Sequence, residues 1–179
     1  MEMLEQEIAN APLALTLLAL VALAVRQDLT ERRIANLLTL TGLVAAVFLQ
    51  SLSGGTSGFA TALAGAVVGL ACFLPLYFCK GMGAGDVKLM AAAGAFLGPV
   101  GAFAAAMISL VAGAVLAIAF LLWRGRELRT VATAGGPQTV DGGSTPAQIR
   151  KERFPYAVAI AAGVTVTMWA RGMLEVLVP

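Results

Sequence analysis

The chain has 179 residues, of which 59% are hydrophobic and only 12% charged, at a mean hydropathy of +0.88. A soluble domain carries about 25% charged residues, so these proportions exclude a water-faced globular enzyme and indicate an integral membrane protein of the all-α, polytopic class. The net charge of +2 is too small to argue for nucleic acid, and the lack of histidine excludes Ser-His and Cys-His catalysis and the usual zinc ligands.

A membrane-spanning helix needs about 20 apolar residues. The first such run covers 8–25. Glu2, Glu5 and Glu7 stand where a signal peptide would be basic, so this run is expected to stay as a helix. A second run, 34–52, ends in the uncharged turn Ser51-Leu-Ser-Gly-Gly-Thr-Ser-Gly58, and 59–79 is a third. The next charge-free stretch is too long for one span. The break Gly98-Pro99 divides it into a short fourth helix, 87–97, and a fifth, 100–123. A polar loop, 124–153, leads to a sixth helix, 156–178, and the whole chain, 1–179, is expected to be one membrane domain.

Cys72 and Cys79 form no CxxC pair and read as small apolar residues, so no metal or redox cofactor is expected. Gly65 with Gly69, and Gly94 with Gly98, have the spacing that lets helix backbones approach closely in lipid. Six helices put the loops after the first, third and fifth on one side. Those loops hold 11 of the 12 basic residues, Arg171 being the exception. The positive-inside rule makes that side cytoplasmic and leaves both termini outside.

Asp28 follows the first helix and Asp86 precedes the fourth, so both acids are expected at the cytoplasmic face. An ionisable group beside a membrane span is costly and is a functional candidate by default. Each acid also has a purely structural reading. Asp28 with Glu31 has the spacing of a capping box, and Asp86 stands where a helix N-cap is expected. Capping does not call for Gly81, Gly83 and Gly85 just before Asp86. Glycines there imply unusual torsions or a close neighbour.

Gly83-Ala-Gly-Asp-Val-Lys-Leu-Met90, followed by Gly94 and Leu97-Gly98, resembles the GxGD motif of type IV prepilin peptidases. Asp28 followed by Arg32-Arg33-Ile34-Ala35-Asn36 resembles their first-aspartate motif, with Ala35 where the family usually has proline. Arg153-Phe-Pro-Tyr-Ala157 resembles the segment that opens the last helix of short members, the form that accompanies Flp/Tad-type pili. The paired CxxC region of the longer members is missing, which weakens any expectation of N-methyltransferase activity.

The resemblance implies an aspartic endopeptidase of the bacterial cytoplasmic membrane, with Asp28 and Asp86 catalytic. Gly83, Gly85, Lys88 and Asn36 would support the motifs. Its substrates would be prepilins or pseudopilins with a basic leader and an apolar N-terminal helix, and pilus secretion machinery a further partner. Glu31, Glu127, Asp141 and Glu152 are candidate contacts for leader cations, and Pro155 and Tyr156 for substrate. Lys88 either lowers the pair's pKa or marks the membrane interface. The alternatives are a proton-coupled transporter with both acids as relay groups, a presenilin-type GxGD protease, and a non-catalytic assembly subunit. A transporter predicts acids near mid-helix. The presenilin type has Tyr-Asp where this chain has Gln27-Asp28.

Overall fold

In the computed structural model, which describes residues 2–31, 34–79, 82–133 and 156–172, these residues form four helices and no strand. They are α1 (Glu2–Glu31), α2 (Asn36–Phe78), α3 (Ala84–Thr133) and α4 (Tyr156–Ala170). The first three are long and apolar enough to cross a membrane. Leu15, Phe48, Val67, Phe103, Val115 and Trp169 all face outward, so the bundle presents an apolar exterior suited to lipid.

Neither α2 nor α3 is a single rod. Gly55 (φ 57°, ψ −134°) interrupts α2, and Gly98 (φ 68°, ψ 176°) interrupts α3. These torsions are open to glycine at little cost. A straight helix would hold residues 50 and 58 about 12 Å apart along its axis. Instead the Gln50 carbonyl occupies the place where a Gly58 side chain would begin, and a Cβ on Gly94 would lie 3.1 Å from that of Ala102. The chain therefore doubles back at both glycines, giving arms 36–54 and 56–78 in α2, and 84–97 and 99–133 in α3.

Several sequence boundaries change accordingly. The 51–58 turn contracts to Gly55, because one residue of positive φ suffices to reverse the helix. The expected fourth helix starts at Ala84 rather than residue 87, and the fifth extends through Thr133, ten residues into the expected loop. Helix α1 runs on through Glu31, which places Asp28 inside it. The sixth helix is described as far as Ala170, and the remainder of the 124–153 loop lies outside the described residues.

The first arm of α3 is the centre of the bundle. Every residue from Leu89 to Gly98 is buried, as befits a helix that is apolar all round. Its closest neighbour is the second arm of α2. A Cβ on Gly65 would collide with the Gly94 carbonyl, one on Gly94 with the Gly65 carbonyl, and one on Gly69 would stand 2.5 Å from the Met90 oxygen. The two small-xxx-small pairs thus face each other. Helix α4 packs on the second arm of α3, with Gly163 against Ala105 and Ser109.

Stopping α3 at Gly98 strands the preceding carbonyls, which have no later turn to bond. Gln50 Nε2 donates to the oxygens of Phe96 (2.9 Å) and Ala95 (3.5 Å), and the Arg171 guanidinium donates to that of Leu97. Arg171, the basic residue that stood apart from the loop charges, therefore serves as a helix cap. Replacing Gly65 with alanine is expected to destabilise the bundle by about 1–3 kcal/mol, because the neighbouring backbone cannot give way. Gly54→Ala, at a site with nothing within 4 Å, is the matched control. Thermal unfolding in detergent should separate the two.

Candidate active site

Helix α1 buries Leu13, Leu17, Leu20, Val21 and Ala24, a stripe at helical spacing. Four residues after Ala24, Asp28 continues that stripe, so the periodicity that packs α1 also turns the acid inward. Asp28 sits three residues from the end of α1, where the helix dipole disfavours negative charge. The offset comes from α4: the backbone N–H of Ala157, in its first turn, donates to the Asp28 carboxylate. Such N–H groups have no partner within their own helix. The other carboxylate oxygen, Oδ2, is buried and has no partner among the described residues. An unmet buried acceptor costs about 1–3 kcal/mol. The capping-box reading of Asp28 with Glu31 fails, because no helix begins there.

Asp86 is 9% exposed. It lies in the first turn of α3, not at its N-cap. Its Oδ2 accepts from the Gly83 N–H at 3.2 Å, and the Gly83 carbonyl accepts from the N–H groups of Asp86 (3.2 Å) and Val87 (3.4 Å). This is the reaching-back half of a capping box, and the helix N-terminus favours a carboxylate there. Gly85 is helical and is absent from the positive-φ glycines. Its small size serves a close approach instead: a Cβ there would stand 3.2 Å from the Ile34 Cβ.

The two acid motifs meet at one end of the bundle. Lys88 Nζ donates to Asn36 Oδ1 at 2.9 Å, Gly85 lies on Ile34, and the Ala35 N–H donates to Gln27 Oε1 at 3.0 Å. Ala35 is the N-cap of α2 at φ −66° and has no side-chain capping bond. Proline would impose the same φ but could not donate to Gln27. Tyr156 opens α4 half-buried, its ring 3.3 Å from where a Gly113 Cβ would stand. Glu31 ends α1 exposed to solvent, and Glu127 falls within α3. Asp141, Glu152 and Pro155 lie outside the described residues. Among the described residues, no cluster of three or more His, Cys, Asp or Glu side chains could hold a metal.

Two contacts escaped the sequence reading, those of Gln27 and of the Ala157 backbone. Gln27 looks like any polar residue at a helix end, and only its nearness to Asp28 could have drawn notice. The Ala157 contribution is a backbone N–H, for which a side-chain pattern gives no signal.

Residues 14–118, more than half of the chain, match the type IV leader peptidase family, and the protein belongs to that family. The match takes in both aspartates and the segments that join them, and the family implies a protease acting on prepilins at a membrane. Comparison with curated proteins and with solved structures gives no match.

The bond from Ala157 predicts a difference between two Asp28 variants. Asparagine keeps an oxygen that can accept, whereas leucine does not. Amide hydrogen exchange at Ala157 should stay near wild type in Asp28→Asn and speed up in Asp28→Leu. Equal rates in the two would show that this carboxylate does not hold the start of α4.

Proposed function

We propose that this protein is an aspartic endopeptidase of the bacterial cytoplasmic membrane that removes the basic leader of Flp-type prepilins or pseudopilins. Asp28 and Asp86 activate the attacking water. The observation that carries this reading is the meeting of both acid motifs through the segment Ile34-Ala35-Asn36, in a chain of the leader peptidase family.

The doubled-back arms support a topology of six crossings with both termini outside. That topology leaves the two acids and the basic loop residues on the cytoplasmic side. The first arm of α3 spans about 21 Å at 1.5 Å per residue, short of a hydrocarbon core about 30 Å thick. In that arrangement Asp86 opens a central helix that ends beneath the membrane surface. Its position suits a peptide bond at the head of an apolar substrate helix. A proton relay through the membrane would instead call for acids near mid-helix.

In this reading the two carboxylates come to close quarters, and they share one proton because both resist ionising together. The ionised member takes a proton from water, and the protonated member hydrogen-bonds the scissile carbonyl and then serves the leaving amine. Their titration belongs to the pair. No cofactor enters this scheme.

The test is cleavage of a co-expressed Flp-type prepilin, followed as a size shift. Wild type is expected to cleave. Asp28→Asn and Asp86→Asn should each fall to background at normal membrane abundance. A variant that still cleaves at a substantial rate would remove its residue from the mechanism. An intact prepilin beside wild type would set aside this substrate class.

A further inference from the structure

Helix α1 touches α3 far less than α2 does. Direct packing therefore gives little control over how Asp28, on α1, stands relative to Asp86, on α3. The end of the short linker between α1 and α2, with the first residue of α2, is better placed to provide it. Three consecutive residues there each contact a residue that flanks an acid. Ala35 donates its N–H to Gln27, the neighbour of Asp28, at 3.0 Å. Asn36 accepts from Lys88, two residues past Asp86, at 2.9 Å. Ile34, half-buried against the core, lies on Gly85, directly before Asp86.

We infer that Ile34-Ala35-Asn36 is a bracket that fixes the spacing of Asp28 and Asp86, with Gln27 and Lys88 as the positioning residues that fasten its two ends. The catalytic consequence rests on the peptidase reading; the mechanical claim does not. The bond from Gln27 restrains the last turn of α1 and so aims the next side chain, Asp28. The bond from Lys88 and the contact at Gly85 hold the first turn of α3 to the same three residues. Ala35 supplies no capping side chain, and its extended backbone (φ −66°, ψ 132°) is held by its bond to Gln27. Lys88 is the one exposed residue between Asp86 and Gly98. Its loss therefore leaves the buried face of the central helix intact.

The experiment uses the full-length protein with two readouts. The first is kcat and KM for a Flp-type prepilin. The second is the distance distribution between nitroxide labels at Leu29 and Ala84, exposed neighbours of the two acids, with Cys72 and Cys79 replaced by serine. Gln27→Met and Lys88→Met are each expected to lower kcat about tenfold with KM little changed, and to broaden the label distribution. Gln27→Glu, which keeps the acceptor but adds a charge beside Asp28, should retain the wild-type label distribution. In an Ala35→Pro background, where the N–H is gone, Gln27→Met should cost nothing more. Unchanged kcat and unchanged label distances in both methionine variants would overturn the bracket, as would a change confined to KM. If wild type cleaves no prepilin, the peptidase reading fails, and the label distances alone decide: broadening supports the bracket and an unchanged distribution overturns it.

Discussion

The arrangement depends on how closely two helix backbones approach. In lipid, helices gain little from hiding apolar surface from one another, because the surroundings are as apolar as the interface. Contact must come from packing, and here Gly65, Gly69 and Gly94 bring the second arm of α2 onto the first arm of α3 with carbonyls against Cα atoms. That contact sets the central helix among its neighbours. The first turn of this helix can then lie against the linker before α2, with Asp86 in it.

A second constraint is the cost of keeping carboxylates in an apolar bundle. The two acids meet it differently. Asp86 uses the start of its own helix, bonding the Gly83 N–H. Asp28 stands near the unfavourable end of α1 and borrows an N–H from the start of α4. Both acids thus draw on helix N-termini, Asp86 on that of its own helix and Asp28 on one distant in sequence. The opposite end of the central helix shows the same economy of polar groups: Gln50 and Arg171 take up the carbonyls left open before Gly98.

Much of this was legible in the sequence. Apolar runs separated by Gly and Pro announced the helices, the glycine pairs announced the closest contact, and the two aspartate motifs announced which residues gather at one end. The boundaries were less legible. Hydropathy marks where a helix is apolar, not where its hydrogen bonds stop, so α1 ran past Val25 to include Asp28, and α3 ran past Trp123. Gly83 and Gly85 suggested unusual torsions or a close neighbour, and Gly85 proved to be the second: a helical residue that makes room for Ile34. Capping by Asp28 was plausible from its spacing to Glu31 and failed because the helix there is ending. Bonds made by Gln27 and by the Ala157 backbone depend on tertiary placement and leave no pattern to read.

The central claim is that Asp28 and Asp86 stand close enough to work on one peptide bond. The most direct measurement is a cross-link between cysteines at both positions, in a chain whose Cys72 and Cys79 are serine, kept in native membranes. The account predicts efficient joining by a mild oxidant or by the shortest bifunctional thiol reagent, with no joining when either cysteine is moved to the outward face of its helix. Joining that needs a long reagent, or that is equally efficient from the outward positions, would contradict it.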